Sequence, residues 1–204
     1  LPADALRLRL DQGDGPDRRV ARLDGPPDWA GRLARSLAMR AFMAAEGWGA
    51  AARRHLQGDA STRSYERIRL DGASRVLMNH PEEPDDPAGR ARKAARAAAK
   101  LAERTPAFHA FALGLGVLGF SVPRVEAHDP HQGFMLLEDL GDTFCVAGDP
   151  PAPVPERYRA AVDVLVELHA RQLPTVLPDG TGGHYAIPAY ALDTYAAEVT
   201  VFLD

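Results

Sequence analysis

The segment Gly58–Arg63, with the sequence GDASTR, contains residue types that bind phosphate. Gly58 has no Cβ and lets a ligand approach the main chain closely, while successive loop N–H groups can form a nest for an anion. Arg63 could add a bidentate phosphate contact. Small polar residues are also ordinary in hairpin loops, so the segment alone leaves both interpretations open. The candidate phosphate-binding residues are Gly58, Asp59, Ala60, Ser61, Thr62 and Arg63.

A second candidate site lies in GFMLLEDLGD, where an apolar run precedes acidic residues. The unbroken run Met135–Leu137 is typical of a central strand, and Leu136 and Leu137 would line a pocket near its end. Main-chain N–H and C=O groups just after such a strand can pair with the edge of an adenine ring. A strand end with an ordinary turn is the alternative. The residues expected at the adenine edge are Glu138, Asp139 and Leu140.

Predicted strands and helices would position both sites. The runs Tyr65–Leu70 and Arg75–Asn79, joined by DGAS, have the chemistry of a β-hairpin, and the short strand RHLQ precedes them. Two further strands are expected around the DPHQG turn. A helix is predicted from about Pro87 to Glu103, and FHAFALGLGVLG predicts a second, more buried helix. The order indicates an antiparallel sheet with a helix against it, which is an α+β fold.

The outer segments predict a hairpin and additional helices. ALRLRLDQGDGPDRRVARL alternates apolar and charged residues on either side of a turn. The next helix is expected to have Asp28 as its N-cap and an apolar stripe of Trp29, Leu33 and Leu37. AGDPPAPVP predicts an extended, proline-rich linker. Beyond it we expect an amphipathic helix at Glu156–Arg171, a loop at Pro174–Gly183 and a helix from about Ala189.

Composition excludes several classes of protein. The 204 residues are 46% hydrophobic and 25% charged, which is enough to build a core. The net charge of −4 gives no overall basic footprint for nucleic acid. The single cysteine, Cys145, cannot form an internal disulfide, which fits a reducing compartment. No run suggests a signal peptide or a bilayer span, so we expect a cytoplasmic protein without membrane or direct nucleic-acid partners.

Three segments in order carry a family resemblance: GWGAAARRHLQGDASTRSYERIRLDGASRVLMNHP, FHAFALGLGVLGFSVPRVEAHDPHQGFMLLEDLGD and YRAAVDVLVELHA. They resemble the aminoglycoside phosphotransferase and choline kinase superfamily, most closely the kinases that phosphorylate N-acetylmuramate and N-acetylglucosamine at the anomeric position. The resemblance implies a protein-kinase-like N-lobe at 36–147 and the start of a helical C-lobe at 148–204. Residues 1–35 resemble the tail of an ATPase subunit that makes threonylcarbamoyladenosine on tRNA.

The resemblance implies a kinase in cell-wall recycling that uses ATP and Mg²⁺ and takes a small-molecule sugar as acceptor. Gly58–Arg63 would cover the ATP phosphates, and the acidic segment after Leu137 would be the adenine hinge. Met78 stands where the general kinase pattern has a lysine for the phosphates, and the matching helix has no acid to pair with a lysine. Arg63 or Arg67 could substitute for that lysine.

The superfamily's catalytic loop, a His-x-Asp-x-x-x-x-Asn run with a following metal-binding aspartate, is expected after Asp204. The chain starts without methionine and stops before such a loop, so both ends look cut. We therefore expect the catalytic base and Mg²⁺ ligands beyond Asp204, and this segment alone to be inactive. Two alternatives stay open: a non-catalytic nucleotide-binding module linked to the tRNA-modifying ATPase, which Met78 favours, and an aminoglycoside or choline kinase.

Other side-chain patterns suggest structure more than chemistry. His128 and His131 flank a turn and are expected at the surface instead of in a zinc site. His169, on the apolar edge of its helix, is expected to be packed and hydrogen-bonded instead of acting as an acid or base. The glycines of GLGVLG are expected to permit close helix packing. The basic residues of the Pro87–Glu103 helix could contact phosphate or RNA, although most charge runs are solvated.

Overall fold

The computed structural model describes residues 7–12, 19–24, 27–56, 62–102 and 104–200. The chain divides into two compact units, Leu1–Ala51 and Ala52–Asp204. The predicted family boundary at residue 35 lies inside the helix of the first unit, which spans Pro27–Ala45. The separate family origin of residues 1–35 stays a prediction.

The first unit contains a β-hairpin and one helix. Strands β1 (Arg7–Gln12) and β2 (Arg19–Asp24) pair antiparallel, as their alternating sequence predicted. Helix α1 (Pro27–Ala45) follows. It begins at Pro27, a residue suited to a first helical turn, so Asp28 lies inside the helix and the expected N-cap position is wrong. Met39 and Met43 are its buried residues, whereas Trp29 and Leu37 of the predicted stripe are half exposed.

The second unit is built on a five-stranded antiparallel sheet with the strand order β3-β4-β5-β7-β6. The strands are β3 (Ala52–Leu56), β4 (Ser64–Leu70), β5 (Ala73–Asn79), β6 (Val125–Asp129) and β7 (Phe134–Glu138). Asp71 and Gly72 join β4 to β5 with φ angles of 48° and 80°. Both angles are in the left-handed region that a type I′ hairpin turn requires, which is why the DG pair predicted this hairpin correctly.

The core lies on the central strands of this sheet. Residues 134–137 of β7 are all buried, which confirms the prediction of a central strand. Tyr65 of β4, Met78 of β5 and Met135 of β7 are paired across three neighbouring strands and therefore lie on one face. Met78, Met135 and Leu137 form a buried cluster on that face. The sheet and its helices confirm the α+β fold and its kinase-like N-lobe arrangement.

Two helices follow β5. Helix α2 (Pro87–Ala98) has Asp86 as its N-cap, whose carboxylate accepts a hydrogen bond from the Gly89 N–H at 2.6 Å. It ends before the predicted Glu103 because Lys100 turns the chain with a φ of 55°. Helix α3 (Thr105–Val117) confirms the predicted buried helix. A Cβ on Gly114 would lie 2.6 Å from the Leu177 side chain, so this glycine permits close packing, although against a strand and not a helix.

The C-terminal part alternates short hairpins with helices. Its elements are β8 (Val146–Ala147), β9 (Ala152–Pro153), α4 (Pro155–His169), β10 (Val176–Pro178), β11 (His184–Ala186) and α5 (Leu192–Thr200). The β8–β9 hairpin replaces the expected extended linker, and the β10–β11 hairpin replaces most of the expected loop. Helix α4 has no buried residue, and its apolar positions Val162 and Leu165 are half exposed. Among the described helices, none has the length and hydrophobicity of a membrane span.

Candidate functional site

A cavity of about 540 Å³ lies where β7 ends. Its apolar lining includes Leu56, Tyr65, Val76 and Leu137, from four different strands. The segment Glu138–Asp142 forms its polar side. The sheet thus brings the predicted hinge, including Glu138, Asp139 and Leu140, to the edge of an apolar pocket of the kind that accepts a flat aromatic ligand.

Arg67 connects the sheet to the hinge. This side chain is buried, and its Nε lies 2.8 Å from Asp139 Oδ2. Its Nη2 also lies 2.8 Å from Asp142 Oδ1, and the Ser74 hydroxyl donates a hydrogen bond to Asp139. Two carboxylates therefore neutralise one buried guanidinium. The network connects β4, through Arg67, and the beginning of β5, through Ser74, to the chain that follows β7.

The charges of this network shift its pKa values. Burial on its own would raise the pKa of Asp139, but hydrogen bonds from Ser74, Arg67 and the Gly141 N–H lower that pKa below its ordinary value of 3.8. The hydrogen bond from Arg67 also lowers the pKa of Asp142. Hydrogen bonds to Asp142 and Asp139 in turn raise the pKa of Arg67. All three groups are thus held in their charged forms at neutral pH.

Arg67 is therefore not a suitable substitute for the strand lysine. Its guanidinium is occupied by two carboxylates, and it faces the hinge end of the sheet. The sequence analysis missed its partner Asp142 altogether. The available signal was an arginine inside a strand, Arg67, together with the paired acids that follow β7, Asp139 and Asp142.

Some main-chain N–H groups of the predicted hinge already donate hydrogen bonds within the protein. The Glu138 N–H donates to the Arg124 carbonyl at 2.9 Å, and the Gly141 N–H donates to Asp139 Oδ1 at 3.0 Å. An adenine edge at this position would therefore have to pair with the main chain of Asp139 and Leu140. Leu140 is 63% exposed, so its side chain contributes little enclosure.

Met78 lies in the core and not on the cavity surface. It is fully buried together with Met135 and Leu137, and Phe108 of α3 packs against this cluster. An apolar contact thus stands where the kinase pattern has a lysine and a helix acid. A charged amine placed there would lose its hydration without gaining a partner. Direct contact between Met78 and a nucleotide stays a prediction.

The predicted phosphate loop at 58–63 is described only at residues 62 and 63. Gly58, Asp59, Ala60 and Ser61 lie outside the described residues. Thr62 is exposed, and its Oγ1 accepts a hydrogen bond from Arg96 Nη1 at 2.6 Å. A second, smaller cavity of about 80 Å³ lies here, lined by Thr62, His80, Pro81, Glu82, Glu83, Lys93, Arg96 and Arg104. The sequence analysis considered the α2 basic residues for phosphate but did not single out Arg96.

Two histidines, His109 and His128, contact each other and line neither of these two cavities. His109 Nδ1 lies 3.1 Å from His128 Nδ1, and His128 Nε2 lies 2.9 Å from Thr105 Oγ1. Burial, reinforced by His109, lowers the pKa of His128 to about 4. His131 is exposed as expected, but His128 is half-buried and packed. Among the described residues, no group of three or more metal-ligating side chains could hold a metal ion.

Comparisons with known proteins identify two relatives. The chain is 42% identical over 156 residues to an N-acetylmuramate/N-acetylglucosamine kinase from Caulobacter vibrioides. This match covers 70% of this chain and 42% of the relative. It is 32% identical over 137 residues to the kinase of the same name from Pseudomonas aeruginosa, which covers 66% of this chain and 35% of the relative.

The chain spans less than half the length of these curated relatives. No protein-family model and no solved structure matches it. The two matches show that the chain is homologous to N-acetylmuramate/N-acetylglucosamine kinases over most of its length.

Proposed function

We propose that the chain is the nucleotide-binding part of an ATP-dependent kinase that phosphorylates the anomeric hydroxyl of N-acetylmuramate or N-acetylglucosamine. The observation that carries this proposal is its 42% identity over 156 residues to a kinase named for those two sugars. The acceptor would be a small-molecule sugar, and the reaction would serve the recycling of cell-wall amino sugars.

The cavity at the end of β7 supports the nucleotide part of the proposal. Tyr65, Val76 and Leu137 lie on one face of the sheet and offer an apolar surface to one face of a base, while the hinge main chain offers hydrogen-bonding groups at its edge. Arg67 and Asp139 hold that hinge against the sheet. Their charges are satisfied by each other, so they position the main chain without competing for the base.

These residues can bind and orient the nucleotide so that its terminal phosphate faces an acceptor hydroxyl. ATP would supply the phosphoryl group, and such transfer depends mainly on positioning and on neutralising charge. Mg²⁺ is the usual metal for this reaction, but no group of described residues fits a metal site. We therefore assign no metal ligand in the described residues.

An acceptor survey on the protein encoded by the complete reading frame tests the proposal. With ATP and Mg²⁺, we expect phosphorylation of N-acetylmuramate and N-acetylglucosamine and none of kanamycin or choline. Turnover of kanamycin or choline alone would contradict the acceptor assignment. Nucleotide binding without turnover of any acceptor would instead indicate a non-catalytic module.

A matched pair of variants locates the base. Val76→Phe should fill the apolar cavity and reduce adenosine affinity by at least about tenfold, because lost apolar enclosure and steric overlap oppose binding. Val117→Phe is the control, since Val117 is 86% exposed and does not line the cavity. Equal adenosine affinity in both variants, measured by calorimetry, would place the base elsewhere.

A further inference from the structure

The arginines of α2 have different surroundings. Arg90 pairs with Asp85 at 2.8 Å, and Arg92 pairs with Glu83 at 2.9 Å. Both are more than half exposed, as expected of a solvated helix face. Arg96 differs, because only 16% of its side chain is exposed and it reaches the end of the Gly58–Arg63 loop.

Arg96 is held mainly by neutral groups. Its Nη1 donates to Thr62 Oγ1 at 2.6 Å, and its Nη2 donates to the Ala102 carbonyl at 2.9 Å. Its Nε is buried and has no hydrogen-bond partner among the described residues. Glu83 Oε1 lies 3.7 Å from Nη1, which is beyond hydrogen-bond distance. The guanidinium is therefore fixed in place mainly by neutral groups, and its carboxylate neighbour Glu83 is shared with Arg92.

The cavity beside Arg96 has an excess of positive charge. Lys93, Arg96 and Arg104 line it together with two carboxylates, Glu82 and Glu83. Each carboxylate has another cationic neighbour: Glu82 lies 3.4 Å from Arg104, and Glu83 is bound by Arg92 of the outer helix face. Lys93 forms no ion pair with any residue that the structure describes. Such a site favours an anion.

The strand β5 relates this cavity to the one proposed for the base. Val76 lines the larger cavity, and His80, just after the end of β5, lines the smaller one. Four residues of extended strand span about 13 Å. That distance is comparable with the length of an extended nucleotide, with its base in the larger cavity and its phosphates in the smaller one. The smaller volume suits a phosphoryl group better than a base or a sugar ring.

The geometry points to Arg96, assisted by Lys93, as the phosphate-binding cation that replaces the lysine absent at Met78. The guanidinium would bind oxygens of the β- or γ-phosphate with charge-assisted hydrogen bonds while Thr62 fixes its orientation. This inference rests on the proposed function, since it takes ATP as the ligand. It assigns a role to one residue of the basic face of α2, whereas Arg90 and Arg92 form ion pairs with Asp85 and Glu83.

Comparing ATP with adenosine separates phosphate binding from base binding. On the protein encoded by the complete reading frame, calorimetry with Mg²⁺ present should show that Arg96→Gln weakens ATP binding by at least about tenfold, as expected for lost charge-assisted hydrogen bonds. Adenosine affinity should not change. Arg90→Gln is the matched control on the same helix and should bind both ligands as the wild type does.

Lys93→Gln provides an independent variant, because Lys93 is exposed and its replacement should leave the fold intact. We expect it to weaken ATP binding about threefold and adenosine binding not at all. If Arg96→Gln does not fold, the Lys93→Gln result decides. An unchanged preference for ATP over adenosine in the folded variants would overturn the inference.

The remaining outcomes distinguish this inference from the proposed function. Equal losses for ATP and adenosine in Arg96→Gln would make Arg96 a structural residue and overturn the inference alone. The same holds if the wild type binds ATP and adenosine equally well. A wild-type protein that binds neither ligand would overturn the proposed function and this inference with it.

Discussion

Two arginines near opposite ends of the sheet face, the buried Arg67 and the partly buried Arg96, have different partners. At the hinge end, Arg67 is neutralised by Asp139 and Asp142, each within 2.8 Å. At the loop end, Arg96 donates to a hydroxyl and a carbonyl group, which fix its position, and its carboxylate neighbour Glu83 lies farther away, at 3.7 Å. The partners of an arginine, more than its burial, thus decide whether it holds the fold together or can attract an anion.

Identical substitutions at the two arginines should separate these roles most strongly. Arg67→Gln should lower the free energy of unfolding by about 3 kcal/mol, because it leaves buried Asp139 without its counter-charge. Arg96→Gln should cost about 1 kcal/mol, because it removes hydrogen bonds to neutral groups. Urea unfolding with Arg90→Gln as the near-neutral control measures both. Equal losses of unfolding free energy in Arg67→Gln and Arg96→Gln would contradict the different roles of these two arginines.

Met78 lies on the same sheet face, between the hinge end and the loop end. Substitutions at Met78 test whether this face tolerates a buried charge. Met78→Lys should destabilise the fold by about 3 kcal/mol, since the amine would be buried in an apolar cluster that has Phe108 in place of an acid. Met78→Leu, which keeps the volume and the apolar character, should cost less than about 1.5 kcal/mol. If unfolding experiments show both variants equally stable, the position is more hydrated than the structure indicates.

The pH dependence of the free energy of unfolding should also distinguish Arg67 from Arg96, although by less than the substitutions at neutral pH do. The folded-state pKa of Asp139 is lowered from 3.8, so its stabilising contribution is complete above that value and is lost as the pH falls through the folded-state pKa. Arg67→Gln removes one source of this lowering, whereas Arg96→Gln does not. Between pH 5 and 2, Arg67→Gln should therefore lose less stability than the wild type.

Chemical unfolding at a series of pH values gives this measurement, and Arg96→Gln is its control. His128, whose pKa is lowered to about 4, adds a stability loss as the pH falls below 6.5 in all variants, so only differences between variants are compared. Parallel acid profiles for Arg67→Gln and the wild type would show that Asp139 does not depend on Arg67.

The sequence predicted those elements whose signals are local. The Asp71–Gly72 pair specified a left-handed two-residue turn, and the run Met135–Leu137 specified a strand buried on both faces. It did not predict the β10–β11 hairpin, whose three-residue strands are too short to be stable alone. Leu177 of β10 instead packs against Gly114, a contact between distant segments.

The strands that flank the predicted hinge and the predicted phosphate loop were thus determined by the sequence itself, through turn residues and strand patterns that act over a few positions. Only the tertiary structure decided which acceptors each arginine meets. Arg67 meets Asp139 across 72 residues of sequence, and Arg96 meets Thr62 across 34. Charge neutralisation depends on distances of a few ångströms, and no local pattern in the chain encodes them.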